Sequence, residues 1–220
     1  MKSLLVRIIK HAQFLSPLRR YFFYRYMYQF APAQLAFLCK CLDETKQVPG
    51  AVVEVGCGMG CTTVFLNRHM DFIGLEKPYI CLDTFQGFTS EDVKVEVGER
   101  GKNARNYRVF NINSQKWFDG TMRSNKVTRV RSIKADTNSF DFGSLGRISF
   151  CLIDVDLYRP VRRSLNGVFP HMSPGGIIIV DDCRENTAYD GALQAYKEFV
   201  QSRGLPENIS LRKLGRIDVA

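Results

Sequence analysis

The stretch AVVEVGCGMGCTTVFLNRHM, residues 51–70, decides the fold of this chain. Its first five residues are apolar apart from Glu54, which is typical of a strand buried on both faces of a sheet. Three closely spaced glycines follow at positions 56, 58 and 60, and a run with helical spacing begins near Thr62. A strand, a tight glycine turn and a helix in this order predict the first unit of a parallel α/β sheet.

The glycine turn is also a candidate loop for a nucleotide cofactor, with a purely structural turn as the alternative. Glycines let the backbone approach a ligand closely, and the first turn of the next helix presents free amides to an anionic group. A dinucleotide loop has glycine or alanine where this chain has Cys61, which disfavours an NAD-dependent oxidoreductase. The candidate cofactor residues of the turn are Glu54, Gly56, Gly58, Gly60 and Thr62.

Strands and helices alternate along the rest of the chain. Further strands are predicted over 79–83, 128–136, 148–154 and 175–182, and helices over about 62–70, 116–125, 159–168 and 189–203. Residues 86–106 are predicted to form a polar loop or lid, and residues 209–220 a pair of short strands joined near Gly215. We therefore expect an α/β, Rossmann-like fold over residues 49–220, with a mainly parallel sheet, helices on both faces and a C-terminal antiparallel hairpin.

Acidic residues stand at the ends of five successive predicted strands. They are Glu54, Asp83, Asp136, Asp154, Asp156, Asp181 and Asp182. In open parallel sheets, ligands bind beyond the carboxyl ends of the strands. Each acid would be desolvated beside its neighbours, which is costly unless the charge is paired or bound. The acids therefore mark a functional site.

Two of these acids are candidate cofactor ligands. Asp83 ends the second strand, 23 residues beyond Gly60, where a carboxylate can accept hydrogen bonds from both hydroxyls of a cofactor ribose. The alternative role for Asp83 is to cap the next helix. Asp136 ends the third strand, near the expected position of an adenine, and its alternative role is to cap the local turn DTNS.

Three other acids form a candidate metal site. Asp154 ends the fourth strand, and Asp181 and Asp182 end the fifth, which should be its neighbour in the sheet. Carboxylate oxygens from two adjacent strand ends suit a hard cation, and Mg²⁺ is the natural occupant. The alternative is one ion-paired acid on each strand, with Arg159 or Arg184 as the partner.

Four motifs in this order and spacing resemble the macrocin O-methyltransferase type of S-adenosylmethionine (AdoMet) dependent sugar O-methyltransferases. They are VEVGCGMGCTT, LDTFQGF, LIDVDLY and SPGGIIIVDDC, and the resemblance covers about residues 50–200. It implies a class I methyltransferase fold and Mg²⁺-dependent methyl transfer to a sugar or saccharide hydroxyl, with a mannoside or an antibiotic deoxysugar as acceptor. The resemblance assigns Glu54, Gly56, Gly58 and Asp83 to AdoMet, and Asp154, Asp181 and Asp182 to the metal.

The expected reaction needs a group that removes a proton from the acceptor hydroxyl. Methyl transfer from a sulfonium is an in-line displacement, so the enzyme positions the acceptor oxygen and takes its proton. A bound cation would lower the pKa of that hydroxyl. Asp154 is the candidate base, a role that the resemblance also gives it. Asp156 lies beyond the predicted strand and is expected to face the metal less directly.

The charge of the chain supports a second hypothesis. The net charge is +9, from 31 basic and 22 acidic residues, and the excess is concentrated in residues 1–30 and 105–134. An RNA methyltransferase would use such basic surfaces, and aromatic residues among them can stack on bases. Those aromatic residues are Tyr107, Phe110, Trp117 and Phe118. A cluster of acids would oppose phosphates, so a saccharide acceptor is favoured and nucleic acid is not expected.

The cysteines and the N-terminal residues set the remaining expectations. Seven cysteines without a CxxC pair argue against zinc and a disulfide framework, which favours the reducing cytoplasm. No apolar run is long enough for a transmembrane segment. Residues 1–48 are predicted to be a helical segment that packs over the domain as a lid or against a second subunit in a homodimer, with a membrane-surface helix as the alternative.

Overall fold

The computed structural model describes residues 2–16, 29–108 and 113–220. The α-helices of these residues are α1 (Lys2–Leu15), α2 (Pro32–Glu44), α3 (Cys61–Phe72), α4 (Ser90–Gly98), α5 (Gln115–Ser124), α6 (Tyr158–Val168) and α7 (Gly191–Ser202). The strands are β1 (Ala51–Val55), β2 (Tyr79–Asp83), β3 (Val130–Lys134), β4 (Ile148–Ile153), β5 (Met172–Val180), β6 (Ile209–Ser210) and β7 (Leu214–Asp218). Short 3-10 helices lie at Ala104–Tyr107, Phe142–Leu145 and Phe169–His171.

The strands form one sheet in the order β3-β2-β1-β4-β5-β7-β6. Strands β1 to β5 are parallel, β7 pairs antiparallel with β5, and β6 pairs antiparallel with β7. The strand order reverses between β1 and β4, and ligands of such sheets bind in the crevice at this switch point. The predicted fold, with its C-terminal hairpin, is confirmed.

The core lies on both faces of the sheet. Every residue of β1 and β4 is buried, because helices cover both sides of these central strands. On one face Val53 and Ile153 pack in a cluster with side chains of α6 and α7. On the other face Val52 packs with α3 and with α2, whose Leu38 and Leu42 are fully buried. Helix α2, within the predicted N-terminal segment, is therefore part of the domain core.

Two local predictions were wrong. Residues 86–106 are not a plain loop, since they contain helix α4, whose start is capped by the Thr89 side chain accepting from the Asp92 amide. Threonine at the cap and acids in the first turn are ordinary signals for a helix start. The C-terminal strands are joined by a turn at residues 211–213 rather than near Gly215, which lies within β7.

The N-terminal segment is described only in part. It contains α1 and α2, while residues 1 and 17–28 lie outside the described residues. None of the described helices combines the length and the apolar composition needed to cross a membrane.

We predict that Gly56 tolerates no side chain, because it has a φ of +86° and a Cβ there would stand 1.9 Å from the Asp154 carbonyl oxygen. Gly56→Ala should lower the free energy of unfolding by about 3–5 kcal/mol, from overpacking and left-handed strain together. Gly58→Ala is the matched control, since Gly58 has a φ of +51° with open space around the added atom.

The control should cost only about 1–2 kcal/mol, the strain of the left-handed backbone. Urea unfolding of the two variants and the wild type measures both effects. Equal losses in the two variants would contradict the steric argument.

Candidate functional site

A cleft opens at the carboxyl ends of β1, β2, β3 and β4. Its volume is about 320 Å³. The predicted site residues that line it are Gly56, Gly58, Asp83, Asp136 and Asp154. Asp92 and Asp156, which the sequence did not place at the centre of the site, line it as well. The cleft is therefore the candidate active site, with five aspartates in its lining, while the predicted metal ligands Asp181 and Asp182 lie outside that lining.

The glycine loop is held by Asp83. One oxygen of Asp83, Oδ2, accepts hydrogen bonds from the amides of Cys57 and Gly58 at 2.9 and 2.8 Å. The other oxygen, Oδ1, accepts from the Phe85 amide at 2.7 Å. Since a carboxylate oxygen has two lone pairs, Oδ1 keeps one acceptor position that a ribose hydroxyl can use. Asp83 thus both shapes the loop and faces the cleft.

Three predicted cofactor residues lie outside the lining of the cleft. Glu54 is buried beneath the loop, where its Oε2 accepts from the Thr63 and Tyr79 hydroxyls at 2.7 Å. Burial raises the pKa of Glu54 to about 7, although these two hydroxyls favour its charged form. Gly60 packs against side chains of α5, and Thr62 is buried in the first turn of α3. These residues support the loop from behind.

Asp136 has the turn contacts of its alternative role and also lines the cleft. Its Oδ1 accepts from the backbone and side-chain amides of Asn138, both at 2.9 Å. The same side chain of Asn138 donates to Asp92 at 3.1 Å, which joins the end of β3 to helix α4. Arg159 lies 3.5 Å from Asp92 and offsets its charge.

Four carboxyl groups gather beyond the ends of β4 and β5. Asp154 and Asp156 follow β4, and Asp181 and Asp182 follow its parallel neighbour, as Ile153 pairs with Val180. Burial, reinforced by the neighbouring carboxylates, raises the pKa of Asp154 and of Asp156 well above the usual range. For Asp156 the carboxyl group of Asp182 is the largest contributor to that rise after burial. Asp156 therefore belongs to the cluster and lines the cleft together with Asp154.

The backbone at this cluster is strained in the same way on both strands. Asp156 has a φ of +61° and Asp182 a φ of +56°, in the left-handed region that few non-glycine residues adopt. At each of these residues the chain turns away from the strand, while the carboxyl groups of Asp156 and Asp182 stay close to each other. Backbone strain of this kind persists where the surrounding structure enforces it, and it is common at functional sites.

Lys213 partly neutralises the cluster. Its ammonium lies 2.7 Å from Asp181 Oδ2 and 3.4 Å from Asp182 Oδ1, and it stands 4.9 Å above the centre of the Phe30 ring. Burial raises the pKa of Asp181 to about 6, and Lys213 opposes that rise. No donor in the described part of the chain reaches Asp181 Oδ1, which is buried. Sequence reasoning missed Lys213, because no motif links it to acids some 31 residues away.

The structure brings the predicted metal ligands together without forming a closed metal site. Among the described residues, no group of three or more His, Cys, Asp or Glu side chains is arranged to hold a metal ion. The ion-pair alternative is partly met, since Arg184 lies 3.8 Å from Asp182 and Lys213 contacts Asp181. The chemistry of the donors still suits a hard cation, because carboxylates outnumber these cations and Asp181 Oδ1 is unpartnered.

A network of ion pairs joins α4 to the segments that follow the acids. Buried Glu96 accepts from Arg100 Nε at 2.8 Å with one oxygen and from the Tyr158 amide at 2.7 Å with the other. Arg100 also donates to Asp190 at 2.7 Å, and Lys102 lies 2.5 Å from Asp190. These contacts fix one wall of the cleft, which sequence reasoning had treated as a loop.

Aromatic residues stand along the same wall. The ring centres of Phe88, Tyr107 and Tyr189 are 5.9 to 6.2 Å apart, and Phe88 lines the cleft. Tyr107 is buried and donates to the Ala188 carbonyl, so it is not free to stack on a base. Of the other aromatic residues in the nucleic-acid hypothesis, Phe118 is buried, Trp117 is 52% exposed, and Phe110 lies outside the described residues.

A sheet in this order, with a glycine loop and acids at its carboxyl edge, defines an enzyme with the class I methyltransferase fold. The macrocin O-methyltransferase (TylF) family model matches residues 32–218. The chain therefore belongs to this family and is an O-methyltransferase. None of the curated proteins matches the sequence of the chain.

Several solved structures share the fold. The O-methyltransferase NovP superposes with a TM-score of 0.71 at 19% identity, over 85% of this chain and 79% of NovP. CalS11, a calicheamicin methyltransferase also described as a TDP-rhamnose 3'-O-methyltransferase, gives 0.68 at 17% identity, over 84% of this chain and 78% of CalS11. An O-methyltransferase from Bacillus cereus in complex with SAH gives 0.54 at 15% identity, over 98% and 89%. At these identities the likeness shows the fold alone.

We predict that Glu54 makes stability depend on pH. Its pKa of about 7 in the folded protein lies above the ordinary value of 4.5, so its contribution is fully present below about pH 4.5 and is lost as the pH rises through 7. Glu54→Gln removes this loss. Between pH 4.5 and pH 8, the unfolding free energy of the variant minus that of the wild type should rise by up to about 3 kcal/mol.

Urea unfolding of both proteins at several pH values measures the difference. Titration of the aspartate cluster is common to both proteins and cancels in the comparison. A difference that stays constant across this pH range would show that Glu54 is charged throughout.

Proposed function

We propose that the protein transfers the methyl group of AdoMet to a hydroxyl group of a sugar or saccharide, and that Mg²⁺ at the acid cluster is required. The observation that carries the proposal is the acid cluster, whose Asp154 and Asp156 line one cleft with the glycine loop. Membership of the macrocin O-methyltransferase family supports the reaction and the acceptor class. The complex of the Bacillus cereus enzyme with SAH supports AdoMet as the methyl donor.

The proposed residues for each ligand follow from their places in the cleft or in the acid cluster beside it. Gly56, Gly58, Asp83 and Asp136 would hold AdoMet, with Glu54, Gly60 and Thr62 supporting the loop. Asp154, Asp181 and Asp182 would hold Mg²⁺, and the unpartnered Asp181 Oδ1 supports that assignment. When bound, AdoMet supplies an electrophilic methyl group, and Mg²⁺ supplies a Lewis acid for the acceptor hydroxyl.

Asp154 is proposed as the base that takes the proton of the acceptor. It lines the cleft, and burial beside the other carboxylates raises its pKa well above the usual range. A carboxylate can take the proton of a hydroxyl group whose pKa a bound cation lowers.

We predict that Asp83→Asn weakens AdoMet binding by about 1–3 kcal/mol, the range for hydrogen bonds to a charged group. The variant keeps the size of the side chain but cannot accept from both the loop amides and a ribose hydroxyl. Calorimetry measures the affinity, and Glu76→Gln, an exposed change outside the cleft lining, is the control. An unchanged affinity would remove Asp83 from the cofactor site.

The function itself is tested by methyl transfer in solution. The protein is incubated with Mg²⁺, with AdoMet that carries a labelled methyl group, and with a panel of saccharides, and mass spectrometry locates the label. We expect a labelled sugar ether, and we expect EDTA to abolish its formation while AdoMet binding persists, since the loop and the acid cluster are separate. Asp154→Asn should slow transfer by about 10²-fold or more, the scale of general base catalysis.

Three outcomes would count against parts of the proposal. Full turnover in excess EDTA would exclude the metal. Wild-type activity in Asp154→Asn would show that this carboxyl group is not the base. Label transferred to RNA but to no saccharide would replace the acceptor class.

A further inference from the structure

Helix α1 exposes an unusual amount of apolar surface. Its exposed apolar side chains are Leu4, Leu5, Val6, Ile8, Ile9 and Leu15, with exposed fractions between 48% and 71%. They make up six of the ten large apolar residues that are exposed in the described part of the chain. A contiguous apolar patch on a protein surface marks a site of interaction.

Five of the six exposed apolar residues of α1 occupy one side of the helix, and Val6 lies among the basic residues on the other side. At 3.6 residues per turn, Leu4, Leu5, Ile8, Ile9 and Leu15 fall within a sector about 140° wide. Arg7 falls outside this sector. The helix is thus amphipathic, with a wide apolar side and a basic side.

The charges of α1 are all of one sign. Its fourteen residues include Lys2, Arg7 and Lys10 and no acid, and the first acidic residue of the chain is Asp43. A second copy of this chain also has a net charge of +9, so the basic helix would meet a like charge there. A surface with anionic groups outside and an apolar interior would complement both the charge of the helix and its exposed apolar side chains.

We propose that α1 binds the surface of a membrane that contains anionic lipids. The apolar sector would enter the boundary between headgroups and acyl chains, and the basic residues would stay among the phosphates. A helix of fourteen residues is about 21 Å long, short of the hydrocarbon core of about 30 Å, so α1 would lie along the surface. This inference does not depend on the acceptor or on the metal.

The test is sedimentation of the full chain with vesicles. Phosphatidylcholine vesicles with and without phosphatidylglycerol are compared at low and high salt. We expect the anionic vesicles to bind the protein at least about tenfold more strongly than the neutral ones, with the difference reduced at high salt. The double variant Leu5→Ser/Ile9→Ser should lose this binding, and Arg7→Glu should weaken it on anionic vesicles only.

The matched control is Phe72→Ser, which removes an apolar side chain that is 87% exposed at the end of α3. It should bind vesicles as the wild type does. Circular dichroism shows whether each variant is folded. Equal binding by the wild type and the double variant would overturn the proposal. Sedimentation of the protein without vesicles would also overturn it, because it would indicate self-association. If the wild type binds no vesicles and the double variant loses methyl transfer, α1 acts as a lid and the proposal is wrong.

Discussion

The close approach of β1 to β4 is the constraint on which the site depends. At the end of β1 the chain turns through Gly56, whose amide bonds to the Leu82 carbonyl at 2.8 Å while its Cα faces the Asp154 backbone. Because no side chain fits between them, the glycine loop and the acids of β4 open into the same cleft. A methyl donor on the loop and an acceptor at the acids would then meet without movement of the sheet.

The acid cluster is the costly part of the fold. Four carboxyl groups lie together, two of them on strained backbone, and Lys213 and Arg184 are the cations beside them in the described chain. Such an arrangement lowers stability unless a ligand, a proton or a cation offsets the repulsion. The pKa of Asp154 and of Asp156 is accordingly raised by burial and by the neighbouring carboxylates. Proteins accept such costs at functional sites.

The wall of the cleft formed by α4 is held in place by ion pairs and hydrogen bonds. Glu96 holds both Arg100 and the first turn of α6, and Arg100 holds Asp190 beyond β5. One buried acid therefore links this wall to the segments that follow both pairs of acids. Ion pairs at this degree of burial are destabilising to break, so the wall resists opening. A preformed wall with aromatic rings along it would give the proposed saccharide acceptor a fixed surface to contact.

The sequence by itself determined the sheet, the glycine loop and the positions of the acids, because strand periodicity and glycine spacing are local properties. It also predicted that Asp154 and Asp181 would be neighbours, since consecutive parallel strands tend to pair. Only the tertiary structure decided that Glu54 lies behind the loop, that Asp156 joins the cluster and that Lys213 neutralises it. Those outcomes depend on a left-handed turn, which leaves no pattern in the residues around it, and on the pairing of β7 with β5, which the predicted hairpin by itself does not specify.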